Sequence, residues 1–495
     1  MRVKPHITLL FLLSVFTLLL FISVIIPKDG IAIGANTRIQ FFDPKELFTK
    51  EESYADISEI IEQNQFIADS LISDLALDVP EEVFDTIRAN ADSLKSSVHS
   101  LEYPNNDRSI LYPVFKSLET ARSKQKVVRI MHYGDSQIEG DRITSFIRNR
   151  IQSKFGGRGV GLIPTSQLYD FSFSIFQDAS DNWNRYTLYG KRDTLIKHKR
   201  YGIMAGFTSF TPQPHHNFDS SSPYRKAWVS INKSPYSYQN TKQFEQCRLL
   251  YGHNLDTFRL TLRVNDEVAD SGSYAPSGNL KQIQWLFNEP VSQIHMDFES
   301  RISPEVYGIA LDGKSGVAVD NIAMRGCAGL VFTKMDTTLF KSLVKKLDVK
   351  LMILQFGGNV VPNIRKDYGY YERWFYSQLK YIRKYAPDVE IIVIGLSDMS
   401  RKEGNRYESY PNIELVRDAL KKATFKADAV YWDMYKAMGG HNSMPSWVFA
   451  QPALATKDFI HFTPRGAKII ANMFNNAFMY DYARYTKQKS TVATE

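Results

Sequence analysis

A serine, an aspartate and a histidine carry the chemistry this sequence can perform. Ser136 ends Gly134-Asp135-Ser136, directly after the apolar run Val127-Val128-Arg129-Ile130-Met131-His132-Tyr133. That run reads as a buried strand, and a serine where a strand turns into a helix is placed to be a nucleophile. Its hydroxyl is a poor nucleophile near pH 7 unless an imidazole takes the proton, and the imidazole works best when a carboxylate fixes its tautomer. Asp458-Phe459-Ile460-His461 supplies both groups, ahead of Phe462-Thr463-Pro464 and an expected helix. The oxyanion formed on attack needs donors. Gly326, within Arg325-Gly326-Cys327-Ala328-Gly329, offers a backbone N–H, and Asn359, within Gly357-Gly358-Asn359, offers a side-chain amide. Each motif taken singly is also an ordinary turn or helix start; their order, each after an apolar strand, is what points to catalysis.

Elements that position these groups alternate. After Ser136, Gln137 to Ile143 is expected to open a helix whose acidic residues complement its positive end. Ile110 to Ser123 reads as an amphipathic helix. Beyond Gly308 come the strand Leu351 to Phe356, a helix around Tyr371 to Tyr385, the strand Glu390 to Ile394, a helix around Glu414 to Thr424 and the strand Ala429 to Tyr431. This is the pattern of a parallel sheet with helical crossovers, which binds ligands at the C-terminal ends of its strands. Between Pro164 and Gly308 the period changes to two: Phe258, Leu260, Leu262 and Val264 alternate with Arg259, Thr261 and Arg263. Ile283, Trp285 and Phe287, then Ile294, Met296 and Phe298, repeat the alternation, so an antiparallel sandwich is expected there.

The series Gly134-Asp135-Ser136, Gly326, Gly357-x-Asn359 and Asp458-x-x-His461 resembles the four blocks of the SGNH (GDSL) hydrolases, serine esterases and acyltransferases on a flavodoxin-like three-layer α/β fold. The resemblance implies Ser136 as nucleophile, Asp458 and His461 as the rest of the triad, and the Ser136 and Gly326 amides with the Asn359 side chain as the oxyanion hole. The run from Gly134 to Asp141, continuing through Phe155-Gly156-Gly157-Arg158-Gly159-Val160-Gly161 to Pro164, is similar to the opening of the bacterial peptidoglycan O-acetylesterases, whose inserted carbohydrate-binding-like module the sandwich resembles. Many members carry an acidic residue after the block asparagine; here it is Val360. An α/β-hydrolase would need Gly-x-Ser-x-Gly at its elbow, and that is not the setting of Ser136.

The chain of 495 residues is too long for one core. Its expected parts are a cytoplasmic tip and membrane helix (1–27), a helical stalk (28–105), a hydrolase domain in two pieces (106–164 and 309–486) around the β-sandwich (165–308), and a polar tail (487–495). Ile7 to Ile26 is long and apolar enough to span a bilayer, follows Arg2 and Lys4, and lacks a good cleavage site at Pro27-Lys28-Asp29-Gly30. An uncleaved anchor with everything after Pro27 outside the cytoplasm is therefore expected. In the stalk, Ile57, Ile60, Ile61, Leu71, Ile72 and Leu75 keep helical spacing.

The composition, 43% hydrophobic and 23% charged, is globular, and the net charge of +8 shows no concentrated basic stripe of the kind nucleic acid requires. Two cysteines, Cys247 and Cys327, fall in different regions, so a disulfide is not assumed. No zinc-type spacing occurs, and neither metal nor cofactor is expected. Trp183, Trp228 and Trp285 are either sugar platforms or core, and His215-His216 reads as loop. The turn-rich stretch Gly439 to Trp447 is a surface loop or a lid, which makes Met444 and Trp447 candidate substrate contacts.

The sequence thus points to an esterase that takes O-acetyl or other small acyl groups from cell-wall or surface polysaccharide, peptidoglycan first. An O-acetyltransferase would use the same acyl-enzyme with a sugar hydroxyl as acceptor and a membrane acyl-donor protein as partner. A glycan-binding scaffold would keep the sandwich and lose the triad.

Overall fold

The computed structural model describes residues 5–25, 31–32, 38–39, 54–167, 169, 171–191, 193–213 and 222–494, except 70–98. Leu71, Ile72, Leu75, His215, His216 and the Pro27–Gly30 stretch lie outside them. The chain divides into two compact units, Met1–Tyr54 and Ala55–Glu495. In the first, Pro5–Ile25 is an α-helix followed by the short antiparallel pair Ile31–Ala32 and Arg38–Ile39. Its span Pro5–Ser23 is long and apolar enough to cross a membrane.

In the second unit, a five-stranded parallel sheet runs Gly316–Ala323, Val127–Gly134, Val349–Gln355, Glu390–Ile394, Val430–Trp432. Counted along the chain, that spatial order is 2-1-3-4-5, the flavodoxin-like arrangement in which a ligand sits where the order reverses, between the first and third strands. The strands are buried on both faces because their side chains alternate between two helical layers. Ile130, Ile353 and Ile392 point to Tyr112–Thr120, Thr144–Phe155 and the long C-terminal helix Pro464–Thr494. Met131, Leu354 and Val393 point to Thr337–Leu347, Gly369–Tyr385 and Ile413–Lys426.

The antiparallel insert is a sandwich of a five-stranded and a six-stranded sheet. Phe258, Leu260, Leu262, Met296 and Phe298 fill its core, as their period of two requires. Gly161–Ile163 and Glu305–Asp312 pair with each other within it, so the insert's outermost strands reach a few residues past 165 and 308. Trp183 and Trp285 are core residues at 8% and 9% exposure, whereas Trp228 is partly exposed and stacks on His295. A buried ion cluster ties insert to sheet: Arg129 on the strand Val127–Gly134 meets Asp320 and Asp312, and Arg248 of the sandwich reaches the same Asp312 at 2.8 Å.

The described part of the 28–105 segment does not stand free where it belongs to the second unit. Ser58–Asp69 packs on the C-terminal helix, with Asn472 donating to Asn64 at 3.0 Å and Ile57 buried. Glu102 bridges Tyr431 at the sheet edge, and the Trp432 indole donates to the His99 carbonyl. Apolar positions at helical spacing have to be covered, and the domain's own surface covers these. The tail from 487 continues the C-terminal helix to Thr494.

Candidate active site

Ser136, His461 and Asp458 come together. Ser136 follows the strand Val127–Gly134, and its Oγ lies 2.7 Å from His461 Nε2. His461 Nδ1 lies 2.7 Å from Asp458 Oδ2. Asp458 is held by its other oxygen, which accepts from the His461 and Ile460 backbone N–H groups and from the Thr456 hydroxyl. Burial alone would raise this carboxyl; the Thr456 hydroxyl, the His461 ring and the two backbone N–H groups outweigh it and hold its pKa down at about 2. Asp458 is therefore an anion at neutral pH.

The loop carrying the pair is clamped by a feature with no signal in the sequence reading. Ser400–Glu403 and Arg406–Ser409 form a hairpin whose Tyr407 stacks on Phe459, with ring centroids 3.5 Å apart. The Ser400 N–H donates to the Phe459 carbonyl. Phe459 has φ +59, a left-handed conformation that costs a bulky residue energy and persists only when its surroundings impose it.

The helix expected from Gln137 begins later. Ser136–Asp141 is a 3-10 segment broken at Glu139 and Gly140, and the α-helix runs from Thr144. The acidic residues are not solvated helix-start charges. Asp135 accepts from the Gln137 N–H at 3.0 Å, and Asp141 pairs with the buried Arg148 at 2.6 Å. Gly140 takes φ +66 and a Cβ there would lie 3.2 Å from the Phe171 carbonyl oxygen, so a side chain would be strained.

Asn359 follows the third strand of the sheet, as the switch-point rule requires. Its Nδ2 donates to Asp135 Oδ2 at 3.1 Å and to the Cys327 carbonyl at 3.2 Å. Where many members of the resembling family place an acid, Val360 is buried among apolar side chains; here Asp135 and Cys327 orient the amide instead. Gly326 precedes Cys327 on a loop that the Met324 N–H anchors to the Gly134 carbonyl at 2.8 Å, and it is exposed with φ +73. A cavity of about 170 Å³ is lined by Ser136, His461 and Asn359 and, among its apolar residues, by Leu396, Met399 and Pro362.

Two expected substrate contacts are corrected. Met444 and Trp447 are wholly buried in the helix Ser443–Phe449, and the Trp447 indole donates to the Met438 carbonyl at 2.8 Å. The glycines and asparagine that suggested a lid shape the entry to this helix, whose apolar residues must then face the core. Three positions were missed: Asp135 as the partner of Asn359, Gln137, whose amide donates to the Ile460 carbonyl at 2.7 Å beside His461, and Gln355 in the cavity wall. Asp135 and Gln137 flank the nucleophile in sequence, and that adjacency was the available signal. Cys247 and Cys327 are free and buried.

No protein-family profile matches this sequence, and no curated protein matches it. Solved structures do. A peptidoglycan O-acetylesterase superposes with a TM-score of 0.57 at 18% identity, covering 74% of this chain and 95% of its own. A GDSL-like lipase from Parabacteroides merdae covers 33% of this chain and 74% of its own, at 14% identity and a TM-score of 0.25. A family two carbohydrate esterase from Clostridium thermocellum covers 52% and 94%, at 9% identity and a TM-score of 0.21. The last two overlaps are too loose to support an argument. The chain shares the fold of that first structure, a flavodoxin-like α/β domain carrying an inserted antiparallel β-sandwich.

Proposed function

We propose that this protein is an SGNH-type serine esterase that removes O-acetyl or similar small acyl groups from cell-wall or surface polysaccharide, most directly peptidoglycan. The observation that carries the reading is the unbroken chain of 2.7 Å contacts from Ser136 through His461 to Asp458. Ser136 Oγ attacks the ester carbonyl as its proton passes to His461 Nε2, and Asp458 holds the Nδ1–H and stabilises the imidazolium. The oxyanion is taken by the Ser136 and Gly326 N–H groups and by the Asn359 amide, which turns from one of its resting acceptors to do so. Collapse breaks the bond to the sugar oxygen, which leaves with the proton from His461. Water, deprotonated by His461, then attacks the acyl-Ser136 ester and releases the acid. A cavity of about 170 Å³ suits a short acyl group, being close to the roughly 150 Å³ cavity that takes up benzene. The likeness to a peptidoglycan O-acetylesterase supports the choice of substrate, the apolar N-terminal helix supports a location at a membrane, and Arg2 and Lys4 ahead of it support a catalytic domain outside the cytoplasm.

A sugar hydroxyl in place of water would make the same acyl-enzyme an O-acetyltransferase, fed by a membrane acyl-donor protein. The membrane-length helix favours that second reading. Acetate release from O-acetylated peptidoglycan and from a simple acetyl ester, by the detergent-solubilised full chain and by Ser136→Ala, tests the proposal. Release by the wild type alone sustains it. Transfer to added glycan without acetate release would replace esterase by transferase, and no acyl chemistry in a folded protein would refute both.

A further inference from the structure

Two strands that lead to the reacting groups carry buried polar side chains that the scheme above leaves unused, His132 on Val127–Gly134 and Gln355 at the end of Val349–Gln355. A polar group taken out of water costs stability unless it is hydrogen-bonded, and these two belong to one chain of bonds. Asn321 Nδ2 donates at 3.0 Å to the carbonyl of Ile138, in the segment that also holds Ser136. The Thr144 hydroxyl lies 3.3 Å from Asn321 Oδ1 and 2.9 Å from His132 Nδ1, and His132 Nε2 lies 3.1 Å from Gln355 Oε1. Burial pushes the pKa of His132 down to about 3, so at neutral pH its ring carries one N–H.

The direction of the chain is set at its far end. Gln355 is buried, and beyond His132 the only partner of its amide among the described residues is the Met434 thioether, 3.9 Å from Nε2. Turning the amide over would set its oxygen against the sulfur lone pairs, so the oxygen stays on His132 and the NH2 faces Met434. Sulfur is a weak acceptor, which leaves that NH2 with bonding capacity. Gln355 and Met434 both line the cavity beside Ser136. Gln137 lines it too; its Nε2 is committed to the Ile460 carbonyl and the Ser397 hydroxyl, and its Oε1 is buried without a hydrogen-bond partner among the described residues. A largely apolar lining thus contains an under-used donor and an unused acceptor. A hydroxyl can accept from the first and donate to the second, whereas a methyl leaves both unpaired.

We infer that the cavity has a polar wall at Gln355 that favours a short acyl group bearing a hydroxyl, such as glycolyl, over an alkyl acyl group of the same size. This rests on the esterase reading and on the cavity as its acyl site, and it names the acyl class. The selection acts on acyl groups one heavy atom longer than acetyl. His132 is a positioning residue: through Thr144 and Asn321 it ties the direction of the Gln355 amide to the segment that carries the nucleophile.

The test compares 4-nitrophenyl glycolate with 4-nitrophenyl propionate, which differ by a hydroxyl in place of a methyl, using the full chain in detergent. The two esters differ in intrinsic reactivity, and reading each variant against the wild type cancels that difference. The glycolyl-to-propionyl ratio of kcat/KM should fall by about tenfold in Gln355→Leu, the scale of one hydrogen bond lost and one buried donor removed, with glycolyl turnover falling and propionyl turnover rising. Should the leucine variant not fold, Gln355→Met reads the same ratio. His132→Phe, which frees the amide to turn, should lose part of the ratio; an unchanged ratio there removes His132 from the positioning role. A merely structural Gln355 would slow both esters alike, and that unchanged ratio overturns the inference while the esterase reading stands on turnover of either ester. If the wild type turns over neither, the esterase reading fails and saturation-transfer NMR with glycolamide and propionamide decides the inference separately. Preferential binding of glycolamide, lost in Gln355→Leu, sustains the polar wall; equal binding of the two amides overturns it.

Discussion

On either side of the Ser136–His461 hydrogen bond stands a carboxylate, and the two titrate in opposite directions. Asp458, on the C-terminal loop, has a side chain 45% exposed. Burial pushes its pKa up, but the Thr456 hydroxyl, the His461 ring and two backbone N–H groups push it down further, to about 2. Asp135, on the nucleophile side, is buried. There desolvation outweighs the Gln137 N–H, the charge of His461 and the Asn359 amide, and the pKa rises to about 6. Similar donors thus produce opposite outcomes, because the cost of removing a carboxylate from water grows faster with burial than two or three hydrogen bonds can repay. The half-wet side keeps a permanent anion for the histidine, and the dry side holds a group whose task is to orient an amide.

Substitutions on the two sides should separate these roles. Asp458→Asn keeps the shape of the His461 partner and removes its charge and tautomer control, so kcat on an acetyl ester should drop by about 10⁴-fold; a loss below tenfold would break the comparison at its stronger end. Asn359→Ala removes a proposed oxyanion donor and should cost about 10²–10³-fold in kcat with KM little changed. Asp135→Asn should cost about tenfold, since it weakens the grip on Asn359 without touching the proton path; a loss as large as that of Asp458→Asn would place Asp135 in the chemistry. Away from the site, Trp447→Ala should lower unfolding stability by about 3–5 kcal/mol in a denaturant titration and leave acyl-chain preference as it is. A changed preference would return Trp447 to the substrate.

The smallest effect is in the pH dependence of stability. A carboxyl whose pKa is raised to about 6 on folding gives a contribution that is complete below about 3.9 and lost as pH rises through 6. The stability of the wild type relative to Asp135→Asn should therefore decline between about pH 4 and pH 7. The depressed Asp458 works in the other sense, its contribution present at neutral pH and lost as pH falls towards 2. Thermal unfolding of both variants from about pH 2 to pH 7 checks the two signs, and a common sign would contradict the assigned environments.

How much was legible in the sequence follows the range of the forces involved. The strand at Val127, the strands at Leu351 and Glu390 and the alternating segments of the sandwich were readable because a period of two, or an unbroken apolar run, is imposed locally by which face is dry. The start of the helix after Ser136 was misread by several residues. Gln137 to Ile143 has helical composition, but Asp141 is drawn to Arg148 and Gly140 adopts a left-handed turn, preferences that only the packed neighbours create. Met444 and Trp447 were misread for a similar reason: a Gly- and Asn-rich stretch looks like surface until the helix it introduces is seen facing the core.

The order and spacing of Ser136, Asn359, Asp458 and His461, the two periodicities and the apolar N-terminal stretch were properties of the sequence by itself, since each follows from residue type and local repeat. Bringing Ser136 within 2.7 Å of a histidine 325 residues away, committing the Asn359 amide to Asp135 and burying Trp447 were decided by tertiary structure. Distances between chain segments, and the water they exclude, are set by how the sheet, its helices and the sandwich pack together, and no local pattern encodes them.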